Sequence, residues 1–139
     1  MAVLLCASCG DFVESDSNVQ LQTLDSSGGT VAFEALSVDV PRGALTKLTT
    51  LKVSAESNDN AETKAFRLEP ANQVFAMPIT IAIAVTSATP IGELQIADFS
   101  STPPILLHNQ RADGKTLFAT SVTSGVFGVL HCPHTPCQL

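Results

Sequence analysis

The segment Ile79-Thr80-Ile81-Ala82-Ile83-Ala84-Val85-Thr86 decides the fold class. Bulky β-branched residues alternate strictly with small or hydroxylated ones. Such a period of two puts Ile79, Ile81, Ile83 and Val85 on one face of a strand, with Thr80, Ala82, Ala84 and Thr86 on the other. β-Branched side chains pack well on a pleated surface, which reinforces the strand assignment. The second face is small and weakly polar, as expected of an ordinary sheet face lightly covered or bare.

The same period recurs on both sides of that segment. Leu36, Val38 and Val40 share a face while Ser37 and Asp39 point away. Upstream, Val19-Gln20-Leu21-Gln22 and Thr30-Val31-Ala32-Phe33-Glu34 alternate around the turn signal Ser26-Ser27-Gly28-Gly29. Thr49 to Ser54 predicts a strand with Leu51 and Val53 inward. Phe66 and Leu68 predict another, ended by Pro70. Further strands are expected at Leu94–Asp98, Ile105–His108, Lys115–Val122 and Val126–Leu130, with Asp113-Gly114 as a hairpin turn. Pro41-Arg42-Gly43-Ala44-Leu45 closes one strand, Pro78 is expected to open the long one, and Phe75 to plug the sandwich edge. No apolar stripe of helical period persists, and residues 42–50 have room for one turn. The pattern is all-β: a two-sheet β-sandwich of about eight to ten short strands. The expected organisation is a cysteine-containing lead-in over 1–18, a sandwich over 19–130 and a cysteine/histidine tail over 131–139.

Composition bounds the function. The chain has 139 residues, 45% of them apolar and 14% charged, with a formal net charge of -6. One domain with a hydrophobic core fits that length; disorder along most of it does not. Seven basic residues scattered singly cannot build a phosphate-binding stripe, so nucleic acid is not an expected partner. Tyr and Trp are absent and His occurs three times, which removes much of the usual catalytic repertoire. The apolar run Met1–Cys6 is too short for a membrane span or a signal peptide. No Gly-x-Ser-x-Gly elbow or phosphate-binding glycine loop is present, His108 is expected outward or capping at a strand end, and His131 and His134 have no clear acid partner for a triad. Glu56, Asp59 and Glu62 share a polar stretch whose spacing fits no defined calcium loop. The chain is therefore not expected to be an enzyme.

The pointed feature is the cysteines, which stand only near the ends: Cys6, Cys9, Cys132 and Cys137. Two readings are open. Disulfides, favoured of the two, suit an exported domain. Alternatively, Cys6, Cys9, Cys132 and Cys137 ligate zinc, with His134 or His131 able to replace a cysteine, because tetrahedral zinc takes four such ligands. No other cofactor is expected.

Four blocks together resemble the ZU5 family. They are Gly28-Gly29-Thr30-Val31; Leu36-Ser37-Val38-Asp39-Val40-Pro41-Arg42-Gly43-Ala44-Leu45; Phe66-Arg67-Leu68-Glu69-Pro70; and Val74-Phe75-Ala76-Met77-Pro78-Ile79-Thr80-Ile81. The resemblance spans about residues 25–130. It implies a β-sandwich-like module used in protein contacts, of the kind found in cytoskeletal adaptors, guidance receptors and extracellular bacterial proteins. Some relatives cleave themselves at a His-Phe-Ser segment. The matching stretch here, Thr123-Ser124-Gly125-Val126-Phe127-Gly128-Val129, lacks it, so self-cleavage is not implied and the likeness is to the bacterial or secreted branch. The expected function is a non-catalytic structural or protein-interaction domain at the cell surface or outside the cell, such as a fibre subunit, with a protein or copies of itself as partner. The alternatives are a zinc-stabilised intracellular adaptor, with a cytoplasmic place, and, less favoured because His-Phe-Ser is absent, a self-cleaving ZU5-like domain.

Overall fold

The computed structural model describes residues 19–58, 61–62 and 64–133. Eleven strands form among them: β1 (Val19–Leu24), β2 (Gly29–Phe33), β3 (Leu36–Val40), β4 (Thr49–Glu56), β5 (Ala65–Glu69), β6 (Val74–Ala84), β7 (Leu94–Asp98), β8 (Ile105–Leu106), β9 (His108–Asp113), β10 (Thr116–Thr123) and β11 (Val126–His131). They make two antiparallel sheets. The six-stranded sheet has the order β1-β4-β5-β11-β7-β8, and the five-stranded sheet β2-β3-β6-β10-β9. The described residues hold no α-helix; the one helical turn is a 3-10 turn at Ile91–Glu93. The all-β two-sheet expectation is met.

Alternation explains the core. Ile79, Ile81 and Ile83 of β6 are fully buried, and so are Val38 of β3 and Leu51 and Val53 of β4. With Leu68, Ile96, Leu117, Phe127 and Val129 they fill the space between the sheets. Burying each such side chain contributes roughly 1.5–3 kcal/mol before entropy is counted. Phe75 is buried as part of this core. Gly28 shows why the turn before β2 needs glycine. Its φ is +78°, and a Cβ there would sit 2.2 Å from the Val40 carbonyl oxygen.

β6 begins earlier than its proline suggests. The strand runs from Val74 through Pro78 to Ala84, so Pro78 lies within it instead of opening it. The pairing with β10 explains this. Ser121 pairs with Ile79 but Thr123 pairs with Val74, so the register slips at this point. A bulge is where a residue without an N–H is tolerated in a ladder. Ile105–His108 also differs from the expected single strand. Ile105 and Leu106 pair with β7 in one sheet, whereas His108 starts β9 in the other. The chain crosses between sheets at Leu107.

The expected disulfides do not staple the described body. Cys132 is the only cysteine among the described residues, so no disulfide joins two of them. The sandwich holds together through a continuous apolar core and through hydrogen bonds between its loops. The expectation of disulfides as part of this domain's structure is corrected accordingly. Cys132 is buried directly after β11, and its N–H donates to the Glu93 carbonyl at 2.6 Å.

Candidate interaction surface

The two flanks of the sandwich are built differently. One flank is formed by the edge strands β8 and β9, the other by β1 and β2. An edge strand exposes unpaired N–H and C=O groups and invites another strand unless something blocks it.

The β8/β9 flank is blocked several ways. β8 has only two residues and follows Pro103-Pro104. β9 carries His108, Arg111 and Asp113, and its pairing with β10 is irregular between Phe118 and Thr120. Arg111 lies over the Phe118 ring at 4.1 Å. The gap between the sheets is bridged by Gln110. Its Nε2 donates to the Ile96 carbonyl at 2.6 Å and to the Leu107 carbonyl at 3.1 Å, while its Oε1 accepts from the Ile96 N–H at 3.0 Å. The Leu107 N–H also donates to the Ile96 carbonyl at 3.1 Å. The glutamine amide thus continues the ladder along β7 after the backbone has left for the other sheet.

Among the described residues the β1/β2 flank has no such devices. β1 reads VQLQTL and β2 reads GTVAF, and neither carries a charge or a proline. In β2 the large side chains turn inward, with Val31 buried and Phe33 packed on the core. In β1 the register with β4 sets Gln20, Gln22 and Leu24 opposite Val53, Leu51 and Thr49. Leu24, Leu51 and Val53 are buried, so Gln20 and Gln22 share the inner face. Val19 and Leu21 point outward, and Leu21 is 59% exposed. On that outer face Leu21 stands opposite Lys52, and Thr23 is hydrogen-bonded to Thr50 at 2.8 Å. An apolar residue is displayed where the pattern permitted a polar one.

The sheet faces are quieter. On the six-stranded sheet, Val126 and Gly128 of β11 are buried on the outer side. A Cβ at Gly128 would meet the Phe99 ring at 3.0 Å, so glycine is what lets that ring close over the strand. The Phe99 N–H donates to Val126 O at 2.6 Å and the Glu62 N–H to Val129 O at 2.7 Å, fixing both covering loops. On the five-stranded sheet, Ser37, Thr80, Ala82 and Thr120 are half-buried small residues, while Val74 and Met77 of β6 and Val122 of β10 are exposed.

The polar residues singled out from sequence are spoken for or dispersed. Glu56 pairs with Arg67 at 2.9 Å. Glu62 accepts hydrogen bonds from Ser87 and Thr89 hydroxyls at 2.9 and 2.8 Å. These two hydroxyls, Thr89 first, hold its carboxyl below the usual glutamate range, with a smaller contribution from nearby His131. His131 contacts Glu93 at 2.8 Å, a pairing across the end of β11 that spacing did not reveal. His108 is exposed at the start of β9. Ser124, in the stretch matched to the self-cleaving segment, is buried. Its hydroxyl donates to Pro70 O at 2.8 Å and accepts from the Gln73 N–H at 3.0 Å, tying the β5–β6 turn. Cys6, Cys9, Cys137, His134 and Asp59 lie outside the described residues. Among the described residues no group of three or more His, Cys, Asp and Glu could hold a metal ion, and no helix is long and apolar enough to cross a membrane. The hollow beside Gln110, lined by Ile91, Leu94 and Leu117, has about 190 Å³; drug-sized ligands take roughly 300 Å³ or more.

No family model matches the sequence, and comparison with curated proteins returns no match.

Proposed function

We propose that this domain is a non-catalytic structural or protein-binding module, acting through its open β1/β2 flank. The observation that carries the reading is the contrast between flanks. One is shortened, charged and sealed by Gln110, whereas the other leaves a six-residue uncharged edge with Leu21 displayed. A strand added to such an edge gains main-chain hydrogen bonds, and the side chains on either face give selectivity. The ZU5-like blocks support the same reading. Gly28-Gly29 opens β2, Pro41–Leu45 follows β3, and Phe66–Pro70 forms and ends β5, so these blocks are scaffold residues. A place at the cell surface or outside the cell belongs to this proposal.

Photo-crosslinking tests it. A benzophenone side chain replacing Leu21 is expected to give protein adducts in the source cells or their secreted material. The same side chain replacing Ile105, equally exposed on β8, is expected to give few. Adducts at neither position, or equally at both, would overturn the reading.

A further inference from the structure

We infer that β1 is a self-recognition strand, and that two copies of this chain join β1 to β1 in antiparallel fashion about Leu21. The inference rests on the open-flank reading above and names its partner.

Isologous pairing demands that a strand complement its own reverse, because one patch must face itself across a two-fold axis. β1 meets that demand when the axis passes through Leu21. Leu21 then faces Leu21 of the second copy. Gln20 faces Gln22, and Val19 faces Thr23. On the outer face this makes an apolar centre flanked by β-branched pairs, a favourable cross-strand combination. On the inner face it sets amide against amide, and each can donate and accept. No like charges meet, since none of the six residues is charged.

The other edges are less suited. β9 carries ionisable His108, Arg111 and Asp113, and its pairing with β10 is irregular. β8 is two residues long. β2 keeps its large apolar side chains inside. Among the described residues β1 is paired on one side only. Apart from pairing with β4, Leu21 O receives only a long bond of 3.3 Å from the neighbouring Gln20 amide, which an incoming N–H can replace. The joined sheet would run to twelve strands, twice the six of one copy. Five residues a side, Val19 to Thr23, make a contact at the small end of specific interfaces, roughly below 1,200 Å². The association is accordingly weak and reversible, and is sought up to about 1 mM protein.

Sedimentation equilibrium on the full chain is the test. Wild type is expected to dimerise with concentration. Leu21→Lys sets two ammonium groups face to face and should weaken the dimer at least about tenfold. Leu21→Glu should do the same. Mixed one to one, the two variants should recover the dimer, because only this register brings positions 21 together. Ile105→Lys, an equally exposed apolar-to-lysine change on the opposite edge, should leave dimerisation unchanged. Circular dichroism checks that each variant keeps its strands. A wild type monomeric at the highest concentration overturns the inference, as does an unaffected Leu21→Lys or a mixture that stays monomeric. Foreign-protein adducts at position 21 alongside a monomeric purified chain would remove the self-pairing and leave the proposed function standing.

Discussion

Replacing Gln110 with Leu should weaken the domain by about 1–3 kcal/mol and unseal its protected flank. The side chain makes three hydrogen bonds to backbone groups of Ile96 and Leu107. Ile96 is fully buried. In Gln110→Leu its carbonyl still receives the Leu107 N–H, but its own N–H loses its partner. An unsatisfied buried donor costs about 1–3 kcal/mol, and leucine's extra apolar burial returns part of that. Gln110→Glu should cost more at neutral pH. An oxygen replacing Nε2 would face two carbonyl oxygens, at the 2.6 and 3.1 Å now spanned by donated hydrogen bonds. That repulsion raises the folded-state pKa of the introduced carboxyl. Its penalty is therefore complete above the raised value. It fades as pH falls and is gone below the ordinary glutamate pKa of about 4.3. Urea unfolding at pH 7 and pH 4 measures both effects. Amide exchange at Ile96 reports the opening locally, because a ladder that has lost its tie opens without global unfolding. If Gln110→Leu is within about 0.5 kcal/mol of wild type, a difference typical of an ordinary surface change, and the Ile96 amide stays equally protected, the glutamine is not a strut.

Other consequences are more direct. Gly28→Ala should destabilise the chain by roughly 3 kcal/mol or more, seen as lost soluble expression or a lowered unfolding midpoint, because the new Cβ would lie 2.2 Å from Val40 O at a φ of +78°. The Glu62 carboxyl should titrate below the usual glutamate range by carbon-detected NMR, and Thr89→Val should move it up more than Ser87→Ala. Because that folded-state pKa is depressed, the stabilisation is present above the ordinary glutamate value. It is lost as pH falls through the lowered one; with the group almost fully exposed, the effect on unfolding is small.

Strands were legible where both the period and the inward face were fixed by bulk. Ile79, Ile81 and Ile83 left no doubt, since three buried isoleucines cannot share the outer face. β1 shows the limit. Its alternation told which residues share a face but not which face points inward, and Leu24 decides that by carrying Gln20 and Gln22 with it. Leu24 has their parity, so the signal was present just past the segment first read. Pro78 inside β6 was not legible, because a bulge depends on the partner strand's register. Nor was Gln110. Its work comes from the crossover at Leu107, which puts a side chain where a strand residue is missing. The Glu62 hydroxyl pair and the His131–Glu93 contact join residues 25 or more apart in sequence, beyond any spacing rule. The terminal cysteines, the sharpest sequence feature, fall mostly outside the described residues.

Charge supplies a last discrimination between self-pairing through β1 and any association steered by ion pairs. Each chain carries a formal charge of -6, so two copies repel at long range. β1 contributes no charge of its own, and the nearest cation on the outer face, Lys52, is engaged with Glu69 at 3.8 Å. Salt therefore has a repulsion to screen and no attraction across the joined strands to weaken. At about 0.01 M ionic strength the Debye length is about 30 Å and the repulsion spans a domain; at 0.1 M it is about 10 Å. The dimer should accordingly tighten as salt rises, by a few-fold in Kd, opposite to the trend of an interface held by opposite charges. Sedimentation in about 10 mM and about 150 mM sodium chloride reads the sign. A dimer that loosens with salt would place the contact on charged residues elsewhere, and β1 would then have to be given up as the joining strand.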